Sequence, residues 1–145
     1  MKSSVDAEVT LDGRRYGGVG FICKKIPGIL YIPIVIDNDR ICGMKIISSG
    51  KIILTIIGVY MQYYDGSSKI IKIYNETLQD IQCIIDTNDP IPIMIIGDMN
   101  ATLPQSKTLG HQWYKRHPYN KQSLLLHDFL INNDLYCCNF DLKKK

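Results

Sequence analysis

Residues Ile91–Ala101 read IPIMIIGDMNA, and the fold turns on how that stretch is taken. An apolar run from Ile91 to Ile96 is bounded by Pro90 and Gly97, and the polar residues Asp98 and Asn100 follow, separated by one residue. A short apolar run between breakers reads as a strand buried on both faces. Side chains alternate along extended backbone, so Asp98 and Asn100 face the same way if the extension persists past Gly97. A carboxylate and a carboxamide held at such a strand end would position a water molecule, a metal or a phosphate oxygen. Taken alone, Gly97–Asn100 reads better as a turn, because Gly, Asp and Asn are all turn formers. The rest of the chain shifts that balance.

The totals set bounds. At 145 residues the chain is one domain or part of one, long enough to bury a sizeable core. Hydrophobic residues make up 46% and charged residues 21%, a globular balance that argues against disorder. A net charge of +3 is compatible with a polyanionic partner and far too weak to imply one. Abundant isoleucine favours strands. The five cysteines show no CxxC spacing, and adjacent Cys137 and Cys138 are poorly placed to bridge. Reduced, buried thiols of an intracellular protein are the expectation. The three histidines do not join the cysteines at zinc-ligand spacing. The longest apolar stretch, Ile52–Met61, is too short to span a bilayer, and MKSSVDAEVT lacks a signal-peptide core.

Outward from the central stretch, the pattern alternates strand and helix. Val5–Leu11 could form a turn of helix that Asp12-Gly13 ends, and Tyr16–Lys25 reads as a strand with Val19, Phe21 and Cys23 alternating. Ile26–Ile36 reads as a strand with kinked ends because of Pro27, Gly28 and Pro33. Arg40–Ile47 and Lys51–Tyr60 form a hairpin about Ser48-Ser49-Gly50. Tyr60, a phenol at the exit of that core strand, is the second candidate site residue; singly, it reads as a tyrosine at a sheet margin. Ser67 or Ser68 caps a helix to about Asp86, with Ile70, Tyr74, Leu78, Ile81 and Ile85 on its apolar face and Glu76 and Asp80 in solvent. Asn88-Asp89-Pro90 stops it and launches the central strand. The polar loop Thr102–Asn120 interleaves basic and aromatic residues. Lys115 and Arg116 are candidates for contacting nucleic acid there, while Trp113 reads first as an anchor onto the core. Gln122–Asn132 reads as a second helix with Leu125, Leu126, Phe129 and Leu130 inward, and Leu135–Phe140 as a last short strand.

Taken in order, RRYGGVGF at Arg14–Phe21, VYMQ at Val59–Gln62 and GDMN at Gly97–Asn100 resemble the endonuclease/exonuclease/phosphatase superfamily, which has the DNase-I-like fold. Within it, the chain is most similar to the apurinic-type endonuclease domain of LINE-type non-LTR retrotransposon proteins. The resemblance implies an α/β fold, a partial four-layer sandwich of mixed sheets flanked by helices, with residues 1–145 forming the middle portion of one domain. It implies that Asp98 orients or deprotonates the attacking water. Asn100 would hydrogen-bond the nucleophile or a phosphate oxygen, and Tyr60 would stabilise charge on the phosphate. A Mg2+ or Mn2+ cofactor is implied, with Asp98 as ligand and Asn100 as auxiliary ligand. So are DNA as partner, a reverse transcriptase in the parent polyprotein, no membrane, and a nuclear location if DNA is the substrate.

The departures matter as much. The family's main metal-ligand glutamate has no counterpart upstream of Tyr16–Lys25, since Glu8 lies too near. Nothing matches its closing Asp and Ser-Asp-His elements, and Gln62 stands where proline is usual. The expectation is a magnesium-dependent endonuclease domain cut at both ends, inactive by itself and marginally folded because apolar strand edges would be exposed. Two other readings stand beside it. One is a non-catalytic retrotransposon remnant that binds nucleic acid or a partner. The other is a same-fold phosphodiesterase acting on phospholipid or RNA.

Overall fold

A computed structural model of the chain describes residues 18–103 and 120–138. Among these, 18–61 with 79–99 form one compact unit, and 62–78 with 100–103 and 120–138 form another. The described elements are β1 (Ile29–Ile34), β2 (Ile41–Ser48), β3 (Lys51–Tyr60), α1 (Ser68–Asn88), β4 (Ile93–Asp98) and α2 (Lys121–Asn132). A mixed four-stranded sheet with two helices makes this an α/β chain.

The first unit holds the sheet, in the order β1-β2-β3-β4. The hairpin between β2 and β3 closes through Ser49 and Gly50, whose φ angles of 49° and 74° are both left-handed. That conformation gives the turn the same twist as the strands it joins. Antiparallel pairing then runs from Ser48 opposite Lys51 up to a register shift between Ile46 and Ile47, which leaves Ile53 as the extra residue on β3. Strand β4 pairs with β3 in parallel, which a tight turn cannot achieve and the intervening α1 can.

The two faces of the sheet differ. Thr55, Ile57 and Val59 alternate along β3 and are buried, as are Ile81 and Ile84 in the half of α1 that belongs to this unit. On the opposite face, a Cβ at Gly58 would lie 2.8 Å from Cys42 Sγ, 3.0 Å from Phe21 Cζ and 3.2 Å from Val19 Cγ1. Val19 and Phe21 therefore lie over the bare backbone of Gly58. Cys23 Sγ meets Met44 Sδ at 3.5 Å on the same face. Burial pushes the Cys42 thiol above its usual pKa, against the pull of a backbone hydrogen bond with Gly58. All five cysteines are unbridged.

Several expectations are corrected here. The alternation of Val19, Phe21 and Cys23 is real, but 18–26 joins no ladder: it packs on the face of the sheet instead of extending it. The central run is a strand, β4, yet it is not buried on both faces. Met94 is 48% exposed and Ile96 43%, because β4 ends the strand order and has β3 as its one neighbour among the described residues. On α1, Ile84 is buried and Ile85 only half-buried. Asp80 is not merely solvated: Asn38 Nδ2 donates to its Oδ2 at 2.7 Å.

In the second unit, α1 begins as its sequence demands. Ser67 Oγ accepts from Ile70 N at 3.3 Å, and Asp65 Oδ1 accepts from Ser67 N at 2.8 Å. Hydrogen bonds from the Ser67 side chain and backbone hold the Asp65 carboxyl below its ordinary pKa of 3.8. This support is present above the ordinary carboxylate range and is lost as pH falls through the depressed value. Helix α2 is capped by Asn120, whose Oδ1 accepts from Ser123 N and Ser123 Oγ, both at 2.9 Å. Of its expected inward set, Leu126 is fully buried, while Leu125, Phe129 and Leu130 are half-buried. Gln122 and Ser123 are buried more deeply than those three, because Gln122 Nε2 donates to Gln62 O at 2.9 Å and Ser123 Oγ accepts from Thr102 N at 3.3 Å. Residues 135–138 carry no strand, and Asn139 and Phe140 lie outside the described residues, as does Val5–Leu11. Among the described residues, no helix is long and apolar enough to cross a membrane.

One backbone approach fixes β4 against β3. Gly97 has φ 145°, and a Cβ there would collide with the Val59 carbonyl oxygen and stand 2.8 Å from Val59 C and 3.0 Å from Val59 N. Gly50 is also left-handed but has open space around it. In urea denaturation, Gly97→Ala is expected to cost about 3 kcal/mol or more, from strain and backbone overlap together. Gly50→Ala is expected to cost about 1 kcal/mol, from strain alone. Equal costs would contradict the close approach.

Candidate functional site

Parallel pairing brings the C-terminal ends of β3 and β4 to the same end of the sheet. There the register sets Tyr60 directly opposite Asp98, the last residues of their strands. Neighbouring strands lie about 4.8 Å apart, and directly opposed residues share a face, so the phenol and the carboxylate emerge side by side. Met61 N donates to Asp98 O at 2.9 Å and carries the pairing one residue beyond Tyr60. Tyr60 is 47% exposed and Asp98 is exposed, so the pair faces solvent from a rigid strand end.

A third side chain joins the row from the turn residue just before β2. Tyr60 N donates to Arg40 O at 2.9 Å, so Arg40 is the antiparallel partner of Tyr60. The reciprocal bond of such a pair would run from Arg40 N to Tyr60 O. Instead, Arg40 N donates to Asn38 Oδ1 at 2.9 Å, and the guanidinium replaces it, with Nη1 donating to Tyr60 O at 3.3 Å. The guanidinium also lies over the Tyr60 ring, 5.8 Å from its centroid. Asn38 is itself held by the 2.7 Å hydrogen bond from its Nδ2 to Asp80. Arg40, just before β2, and Tyr60 and Asp98, the last residues of β3 and β4, thus stand in a row on one face at one end of the sheet. The charge order is cation, phenol, carboxylate.

The expected site residues are placed as follows. Tyr60 and Asp98 are brought together. Extension persists past Gly97 but stops at Asp98, so the alternation that would align Asn100 with Asp98 is broken: Asn100 has φ 45° and belongs to the second unit. Lys115 and Arg116 lie outside the described residues, together with Trp113. Arg40 was legible only as the start of a strand. Counting back from the turn without the register shift sets Arg40 against Val59, on the buried face. The extra residue Ile53 moves every pair beyond it by one and delivers Arg40 to Tyr60. No signal in the sequence marks that bulge.

Compared with protein-family models, curated proteins and solved structures, the chain matches none. The site is therefore read from its own geometry. An exposed carboxylate can orient water or take a hard cation, a phenol can donate to a developing oxyanion, and a guanidinium can bind phosphate oxygens.

The Asp80–Asn38–Arg40 chain of hydrogen bonds predicts coupling. Asn38→Ala and Asp80→Ala are each expected to destabilise by about 1–2 kcal/mol, since a hydrogen bond to a charged group is lost. In a double-mutant cycle read by urea denaturation, the pair should couple by about 1 kcal/mol. Strict additivity would contradict the bond.

Proposed function

We propose that this chain carries the water-orienting half of a magnesium-dependent phosphodiesterase site acting on DNA, in the manner of the LINE-type endonucleases that its motifs resemble. The observation that supports this reading is the register pair of Tyr60 and Asp98 at the ends of two parallel strands. The two residues named from the motifs are 38 positions apart in sequence and adjacent in the sheet. On this reading the mixed sheet is one of the four layers of a DNase-I-like sandwich.

The roles follow from the chemistry. Asp98 accepts a hydrogen bond from the attacking water and turns its lone pair toward phosphorus. Tyr60, from the neighbouring strand, donates its hydroxyl to a phosphoryl oxygen as charge builds there. Magnesium, when bound, supplies Lewis-acid stabilisation of that charge. It takes one or two carboxylates, with waters and substrate oxygens completing the shell. Asp98, exposed at the strand end beside Tyr60, is the carboxylate that would take this role. The glutamate, aspartate and histidine of the family pattern have no counterpart in the sequence. Each such loss costs about 10²–10³-fold in turnover, so catalysis by these 145 residues alone falls to background.

Isothermal titration tests the reading. Mg2+ or Mn2+ should bind the purified chain weakly and saturably, with the heat lost in Asp98→Ala. Supercoiled plasmid should not be nicked above background by the same preparation. Identical titrations of wild type and Asp98→Ala would contradict the site. Magnesium-dependent nicking abolished by Asp98→Ala would support the site and overturn its incompleteness.

A further inference from the structure

We infer that Arg40 is the phosphate-binding residue of this strand end, taking a non-bridging oxygen of the phosphodiester beside Tyr60. The inference rests on the phosphodiesterase reading for its ligand, but its own basis is separate. It starts from how the guanidinium is held. Its position is fixed from three directions: by the Arg40 amide bonded to Asn38, by the Nη1 hydrogen bond to the Tyr60 carbonyl, and by the Tyr60 ring beneath it. The Asn38 side chain is fixed in turn by Asp80. Among the described residues the guanidinium makes one hydrogen bond, and it goes to a neutral carbonyl. The described ion pairs are Lys72–Glu76 and His127–Asp128, so no described carboxylate neutralises Arg40. A guanidinium offers five donors in a planar fork that matches phosphate geometry. Among the described residues four of them take no partner.

A structural role alone does not account for this arrangement. Tyr60 O would be satisfied at lower cost by the Arg40 backbone amide, as in an ordinary antiparallel pair. The Asn38 turn diverts that amide, and the guanidinium is drawn in over the ring instead. The register shift at Ile46/Ile47 also aims Arg40 at the face where Tyr60 and Asp98 emerge. Asp98 lies two strands away, about 10 Å by strand spacing, so a phosphoryl group held at Arg40 has Tyr60 alongside and the carboxylate on its far side. That gap leaves room for a phosphoryl group at Arg40 and a water between it and Asp98, with the water within the about 3–3.5 Å of phosphorus that attack requires.

The test is titration of inorganic phosphate into the whole chain, followed by amide shifts of Tyr60 and Met61 and by the Arg40 Nε signal. Arg40→Gln should weaken binding by about 10-fold or more, the worth of a charge-assisted hydrogen bond. Arg40→Lys should retain part of the affinity, having the charge without the fork. Asp98→Asn should tighten binding by about twofold, because a like charge about 10 Å away is removed. A merely structural arginine would not produce that gain. Phosphate affinity unchanged in Arg40→Gln, or absent in wild type, would overturn the inference. If metal binding at Asp98 persists in that case, the phosphodiesterase reading survives without Arg40. If phosphate binding depends on Arg40 and no metal binds at Asp98, the oxyanion site stands and the phosphodiesterase reading falls.

Discussion

The backbone of Gly97 lies against the backbone of Val59, and the rest of the candidate site depends on that approach. Any side chain at residue 97 would occupy the space of the Val59 carbonyl. With hydrogen there instead, β4 settles into register and Asp98 stops opposite Tyr60. The Met61 amide then closes on the Asp98 carbonyl at 2.9 Å. A glycine just before a carboxylate is thus a packing requirement and not only a turn signal. It lets the candidate residue Asp98 sit on strand backbone, which holds geometry better than a loop does.

Around that fixed point the polar groups are arranged in order. Asp80 on α1 holds Asn38, Asn38 takes the amide of Arg40, and the freed Tyr60 carbonyl takes the guanidinium. Each step is a hydrogen bond between residues far apart in sequence or across a turn. Opposite charges end up on either side of one phenol. A cation, a phenol and a carboxylate set in order at one end of the sheet are what make it a candidate site.

Much of this was legible in the sequence, for identifiable reasons. The hairpin at Ser49-Gly50, the Ser67 cap and the spacing along α1 are local signals, and local geometry honours them. The strand nature of Ile93–Asp98 was also legible, but its exposure was not. A run of isoleucine and methionine reports hydrophobicity, whereas exposure of Met94 and Ile96 depends on which neighbours the sheet supplies. The same limit applies to Val19–Cys23, where period-two alternation marked the inward side chains correctly and implied a ladder that is not made. Gln122 and Ser123 are buried because distant groups at Gln62 and Thr102 bond to them, and no window of α2 contains those partners. Arg40 was hidden by a one-residue register shift, which propensity does not encode. Asn100 was linked to Asp98 by alternation, and its left-handed φ breaks that link.

The most direct measurement is the paramagnetic broadening of backbone amide signals by substoichiometric Mn2+. If the ends of β3 and β4 form one cation-accepting site, the amides of Tyr60, Met61 and Asp98 broaden first and together, although 38 positions separate Tyr60 from Asp98. Broadening that begins instead at the exposed carboxylates of α1, such as Glu76 and Asp86, and leaves Tyr60 and Asp98 sharp would contradict it.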